Sequence, residues 1–257
     1  INPILLRFVV FNFYYFWQIV PSVLFAYLIL SKEIKLRFIL PLVALLPFII
    51  LTRPTIIMAS LLSLIILCRK INRYYSLSII FYTTLVLFML YQPTKKNIWH
   101  TIYVGIGAYS NQYNIPLNDD YAYNLYFKNC YTKLNTSIGG NYYDEEIISD
   151  YKQISKNECV KIINKNPLMF VKNIFLNTFQ GFSIGYLNKG GDFFNYIIAL
   201  SGLIYFIYLV YFKKYIWVLM IGMTLGTFTL FYPPIQGYMY GAYLLIITSF
   251  ISTLSKK

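Results

Sequence analysis

The chain has 257 residues, of which 58% are hydrophobic, 20% aromatic and only 12% charged, and its formal net charge is +13. Soluble domains carry about 25% charged residues, so this composition excludes an ordinary soluble fold and indicates an all-α polytopic membrane protein. The apolar residues come in runs of about 20 rather than in alternation, which excludes a membrane β-barrel.

In chain order, spanning helices are predicted at Phe8–Leu30, Tyr75–Tyr91, Phe193–Phe212, Ile216–Phe231 and Tyr238–Thr253. About five spans result, and between the first two lies a further apolar run, Phe38–Leu67. Ten of the 22 basic residues sit in four short connections or ends: Lys32, Lys35 and Arg37; Arg69, Lys70 and Arg73; Lys213 and Lys214; Lys256 and Lys257. The positive-inside rule makes these the cytoplasmic face, including the C-terminus, so the positive charge needs no nucleic acid to explain it. The expected location is the cell membrane, with several passes.

Both flanks of Phe38–Leu67 are basic, so the run must enter and return as a short helical hairpin. Each arm has about 14 residues, or roughly 21 Å of helix. Thr52-Arg53-Pro54 forms the predicted tip, because Pro54 suits a first helical turn and biases Arg53 away from helical geometry. Arg53 is the only charge in that run. A charge at the centre of an inserted helix costs about 2.5–3.5 kcal/mol, so Arg53 either snorkels to headgroups or binds a ligand.

The composition changes between Gln92 and Lys189. Eight of the nine acidic residues, ten lysines and the single histidine fall between Gln92 and Asp192. Three regions follow: 1–92 with hairpin 38–67, a small mainly α extracytoplasmic lobe over 93–191, and C-terminal membrane helices over 192–257. Within the lobe, Trp99–Phe127 reads as a loop with turn signals at Gly105, Gly107 and Pro116, leading to a helix capped around Asn118–Asp120. Asp144–Lys165 is a second predicted helix, on the spacing of Ile147, Ile148, Tyr151, Ile154 and Val160. A third, over 168–182, has its apolar face broken by Lys172, Asn173, Asn177 and Gln180, which predicts an interfacial position. Cys130 and Cys159 share the lobe and form either a disulfide or two buried thiols, whereas Cys68 is a packing residue.

No metal-ligand spacing, phosphate loop, Rossmann fingerprint or GxSxG is present, so neither a metal nor a bound cofactor is expected. The candidate groups on the outer face are Arg53, Trp99, His100, Asp119, Asp120 and the loop Tyr232–Tyr240. His100 is placed to bind phosphate or relay a proton, or else to act as a surface hydrogen-bonding group. Asp119 and Asp120 are candidates for a general base or for a helix cap with favourable dipole placement.

The run LVALLPFIILTRPTIIMASLLSLIIL resembles the helix, short Arg/Lys-Pro turn, helix element of GT-C-type membrane glycosyltransferases. The segment PPIQGYMY is similar to the aromatic outer loop before a late helix in that class. WHTIYVGIGAYSNQY followed by Asp119-Asp120 resembles a pattern in bacterial polysaccharide-locus membrane proteins. The resemblance runs from Phe38 to the end of the chain. It implies a sugar donor on a polyprenyl phosphate, transferred to a cell-surface glycan or lipid acceptor by an outer-face carboxylate base. Arg53 would hold the carrier phosphate, with Trp99, Gln236 and Tyr238 beside the donor and His100, Asp119 and Asp120 as catalytic candidates. The family's acidic motif in the first outer loop has no counterpart here, and the start at Ile1 leads to the expectation that the chain is the C-terminal portion of such an enzyme. Two other classes fit the pattern: a polysaccharide polymerase or ligase, and a transporter, flippase or assembly subunit. The lobe's lack of arginine weighs against the former, and the scarcity of charge within the spans against the latter.

Overall fold

The computed structural model describes residues 18–52, 54–90, 97–130, 145–184 and 192–255. Among these residues the fold is all-helical, with 11 α-helices and no strand. They are α1 (Val20–Leu30), α2 (Leu36–Thr52), α3 (Ile57–Lys70), α4 (Arg73–Leu90), α5 (Ile98–Ile106), α6 (Asp119–Cys130), α7 (Glu145–Lys165), α8 (Pro167–Gly181), α9 (Asp192–Tyr211), α10 (Tyr215–Thr229) and α11 (Gln236–Leu254). They group into two compact units. One takes residues 1–91, 178–228 and 234–257; the other takes 92–177 with 229–233.

Among the described residues of the first unit, two helices are long and apolar enough to cross a membrane, Arg73–Leu90 and Phe193–Tyr211. The other apolar helices are shorter, and α1 has 11 residues, or about 16 Å. The predicted span Phe8–Leu30 is described only from Gln18 onward, where α1 forms with Pro21 in its first turn. The Phe38–Leu67 run forms α2 and α3, with a 3-10 turn over Pro54–Ile56 between them. Arg53 itself lies outside the described residues.

Small polar side chains lie inside this unit. Ser63 Oγ is fully buried and donates to the carbonyls of Ala59 at 2.8 Å and Pro21 at 3.0 Å, tying α3 to α1. α2 carries Pro41 and Pro47, each of which removes a backbone donor from the helix interior. Beside Pro47, the Tyr82 hydroxyl on α4 donates to the Ala44 carbonyl at 3.0 Å. α11 comes close to α1 at Gly241, where a Cβ would stand 2.8 Å from Ser22 Oγ and 3.3 Å from the Gln18 carbonyl oxygen. Outward, the same helices present Phe81, Leu85, Phe88 and Met89 of α4 and Ile197, Leu200, Ile204 and Ile207 of α9.

The second unit has its own apolar core. α5, α6 and α7 pack on one another around Ile102, Tyr103, Val104, Ile106, Ala122, Cys159 and Ile162, with Ile115 from the α5–α6 connection. The expected loop beginning at Trp99 is corrected here: Ile98–Ile106 is a helix, and Asn97 caps it. The Asn97 Oδ1 accepts from Trp99 N at 3.2 Å and His100 N at 3.4 Å, satisfying two donors that a first turn leaves open. Gly107 is the expected turn, closing α5 with its N–H on the Val104 carbonyl at 3.0 Å, whereas Gly105 lies inside the helix; both are points of close approach. A Cβ on Gly105 would lie 1.9 Å from the Phe231 carbonyl oxygen, and one on Gly107 would lie 2.3 Å from that of Pro116.

Part of α8 completes this unit with its polar side turned inward. Asn173 and Asn177 are buried; Asn173 Nδ2 donates to the Ile106 carbonyl at 3.3 Å and Asn177 Oδ1 accepts from the Tyr109 hydroxyl at 3.0 Å. Leu168, Val171 and Phe175 are exposed on the other side, at 79%, 60% and 69%. The sequence reading treated the amides as breaks in an apolar face. They are instead the packed face, because they satisfy backbone and hydroxyl groups at the end of α5.

Cys159 is a free, fully buried thiol, and its Sγ lies 3.4 Å from the Trp99 carbonyl oxygen. That removes it from the disulfide considered for Cys130. Burial, and then the nearby Glu158 carboxylate, push its pKa up to about 12, so it is neither a nucleophile nor a thiolate ligand near neutral pH.

Candidate functional site

α5, α6 and α7 converge on His100. α5 carries the histidine in its first turn, and the Asn97 cap fixes that turn. α6 begins at Asp119, with the Asn118 Oδ1 accepting from Tyr121 N at 3.2 Å, so Asn118 is the cap and Asp119 and Asp120 occupy the first turn. Carboxylates there are favoured by the open N–H groups and the helix dipole. α7 supplies Tyr151 from a buried position one helical turn before the buried Ser155, whose hydroxyl donates back to the Tyr151 carbonyl at 2.7 Å.

The result is a linear chain of three side chains. His100 Nε2 lies 3.1 Å from Asp119 Oδ1, and His100 Nδ1 lies 2.5 Å from the Tyr151 hydroxyl. The imidazole stacks on Tyr123, with ring centroids 4.8 Å apart and planes 16° from parallel. His100 is 13% exposed and Asp119 63%, so the chain runs from the interior to solvent. Burial lowers the His100 pKa from its ordinary 6.5 and outweighs the charge and hydrogen bond of Asp119, which act to raise it. His100 is therefore neutral at pH 7.

Neutrality fixes the tautomer by elimination. An ionised carboxylate only accepts, so Nε2 carries the proton and donates to Asp119; Nδ1 then accepts from the Tyr151 hydroxyl. His100 consequently has no lone pair to offer a substrate. The exposed end of the chain is Asp119, which gives one oxygen to the imidazole and leaves the other for an incoming hydroxyl. A carboxylate held this way can take a proton in a single orientation.

The sequence-based candidates fall into two sets. His100, Asp119 and Trp99 belong to the α5–α7 unit, where His100 and Asp119 meet directly. Asp120 is exposed beside Asp119 and takes no part in the histidine contact. Tyr238 belongs to the other unit, where its ring packs on Phe228 with centroids 4.4 Å apart. It lines a cavity of about 10 Å³ with Gln18, Thr55, Ile56, Thr224 and Gly241, room for no more than about one water. Thr55 and Ile56 follow Arg53 by two and three residues, so the hairpin connection and the start of α11 meet there. Gln236 opens α11, and its side chain is not among those described.

Sequence reasoning missed Tyr151 and Tyr123. No motif joins residues 51 and 23 positions away from His100, and in a chain with 27 tyrosines none stands out by type. The one available signal was the apolar periodicity of α7, which put Tyr151 on its packed face. Among the described residues no group of three or more His, Cys, Asp or Glu could hold a metal ion. Comparison with protein-family models, with curated proteins and with solved structures finds no match to the chain.

Proposed function

We propose that the protein is a multi-pass membrane glycosyltransferase in which Asp119 is the general base, held and oriented by His100 and Tyr151. The donor is a sugar on a polyprenyl phosphate, the acceptor is a hydroxyl of a cell-surface glycan or lipid, and the reaction takes place at the outer face of the membrane. The observation that carries this reading is the Tyr151–His100–Asp119 chain, which ends on an exposed carboxylate of fixed orientation. Asp119 removes the acceptor proton as the hydroxyl oxygen attacks the anomeric carbon and the carrier phosphate leaves. The resemblance to GT-C-type enzymes gives Arg53 the task of binding the carrier phosphate, since a leaving anion in a low-dielectric site needs a fixed positive charge.

The membrane setting is supported by which residues face outward. In Arg73–Leu90 and Phe193–Tyr211, 17% and 22% of the residues are buried, whereas the core helix of a water-soluble protein would be mostly buried. Lipid around these helices, with α1, α2, α3, α10 and α11 completing the bundle, accounts for apolar residues outside and serines inside. The outward Leu168, Val171 and Phe175 give α8 an interfacial position by the same reasoning. The basic connections are cytoplasmic and the lobe extracytoplasmic, following the charge bias of the sequence.

The test uses a short-chain polyprenyl-phosphate glucose as donor in proteoliposomes, with release of polyprenyl phosphate as the readout. Asp119→Asn is expected to lower kcat about 100-fold or more with little change in KM, on the usual scale for a lost general base. Arg53→Ala is expected to lower donor binding as well as kcat. Turnover that survives Asp119→Asn unchanged would overturn the assignment of the base.

A further inference from the structure

α7 has a second face with its own chemistry. Ser149, Lys152, Gln153 and Lys156 follow at spacings of three and four residues and so lie along one side of the helix. With Asn97, Ile98 and Trp99 from the start of α5 they line an open groove of about 310 Å³. That is the lower end of the range for small-molecule sites and suits a ligand of one or two sugar rings. No acidic residue lines it.

Three features of the lining select a ligand. Trp99, half-buried against the α5–α7 core, lines the groove beside polar groups, a setting in which an indole edge packs against the C–H face of a pyranose while its hydroxyls are hydrogen-bonded elsewhere. Asn97 is committed on one side only: its Oδ1 caps α5, while its Nδ2 is screened from solvent and has no hydrogen-bond partner among the described residues. A donor left in that state costs about 1–3 kcal/mol, which a ligand oxygen would relieve. Lys152 and Lys156 add positive charge, and Lys156 makes no ion pair among the described residues. On the same helix Lys161 is paired, with Glu158 at 3.4 Å.

We propose that this groove binds a sugar carrying an anionic substituent, either a phosphate or a carboxylate. The ring lies against Trp99, the anion faces Lys152 and Lys156, and hydroxyls meet Asn97, Ser149 and Gln153. Trp99 precedes His100 in the chain, and the Asn97 cap that borders the groove also holds the first turn carrying His100. The ligand class stands on the groove alone, but its role as the acceptor of sugar transfer rests on the Asp119 reading.

The experiment follows Trp99 emission in the full chain, in detergent, after Trp17→Phe and Trp217→Phe leave Trp99 as the only tryptophan. The probes are glucose 1-phosphate, glucuronate, glucose and inorganic phosphate. Saturable shifts are expected with the first two, at least tenfold weaker binding of glucose, and displacement by inorganic phosphate without the same emission change. Lys156→Ala is expected to raise Kd for the two acidic sugars about tenfold and to leave that for glucose unaltered. Calorimetric titration of the unaltered protein should give the same ranking, which covers any disturbance from the two tryptophan replacements. Equal affinity for glucose, a full response to phosphate alone, or indifference to Lys156→Ala overturns the groove. A flat response while turnover still depends on Asp119 overturns the groove and leaves the base standing. Saturable binding with turnover indifferent to Asp119 does the reverse.

Discussion

The helices α5–α7 and the apolar helices of the other unit both bury apolar side chains, but they differ in what they expose. In α5–α7 the interior is Ile102, Val104, Ile106 and Ile162, and the surface carries Lys152, Gln153, Lys156 and Lys161. In the other unit Ser22, Ser60, Ser63 and Thr83 are buried while Phe81, Phe88 and Met89 face out. On the proposed membrane setting, the same chain sorts its side chains for two media. In water, burial of apolar area drives packing at about 25 cal/mol per Å². In lipid that drive between helices is absent, and small residues that allow close approach, with hydroxyls that bond backbone, take its place. Ser63, bonded to both Ala59 and Pro21, is a residue of the second kind.

The sharpest way to break this contrast is a charge on the outward side of α4. Phe81 is 69% exposed and lies midway along Arg73–Leu90. If that side meets lipid, Phe81→Arg should cost about 2.5–3.5 kcal/mol of insertion free energy, a change of roughly 100-fold in the inserted-to-uninserted ratio. An engineered glycosylation-site assay of α4 insertion reads this directly. An unchanged inserted fraction would mean that this face meets water and that the two units differ in nothing but composition.

A smaller effect separates the two units at their glycines. Gly105→Ala would drive a Cβ into the Phe231 carbonyl oxygen, whereas nothing lies within 4 Å of a Cβ at Gly222 in α10. Overpacking of this kind costs about 1–3 kcal/mol, and relief of glycine's backbone entropy within a helix returns about 0.5–1 kcal/mol. Gly105→Ala should therefore lower the melting temperature in detergent and Gly222→Ala should raise it slightly. Equal shifts would show that α5 is not held in close contact with the 229–233 segment.

These same positions show how far the sequence could be read. Runs of apolar residues located α2, α3, α4, α9, α10 and α11 well, because a helix of this kind is written in consecutive residues. α5 was missed: Gly105 signals a turn when read locally, but its small size serves the Phe231 backbone more than 120 residues away in the chain, while Gly107 does mark the turn that ends the helix. The Asn97 cap was a legible local sign of the helix start, and the glycines masked it. His100 and Asp119 could be named as candidates by residue type, and their pairing could not, since it depends on how α6 crosses α5. Tyr151 became part of the site solely through packing. In α8 the amides were visible and their direction was not, because an inward polar face is expected only once the surroundings are known to be apolar.

The smallest effect is carried by protons at His100. Its folded pKa lies below the ordinary 6.5 because burial disfavours the imidazolium more than Asp119 favours it. The unfolded chain therefore binds more protons than the folded one once the pH drops below about 6.5, and stability falls with it. Above that pH both states are neutral at this position and the contribution is fully present. Asp119→Asn removes the two influences that raise the folded pKa, so it should widen the gap and steepen the loss of stability on acidification. Denaturant midpoints of the parent and of Asp119→Asn at pH 7.5 and across the range below 6.5 check the sign. Parallel curves would mean that His100 does not titrate between the folded and unfolded states, and would detach it from the polar chain that sets α5–α7 apart from the apolar helices of the other unit.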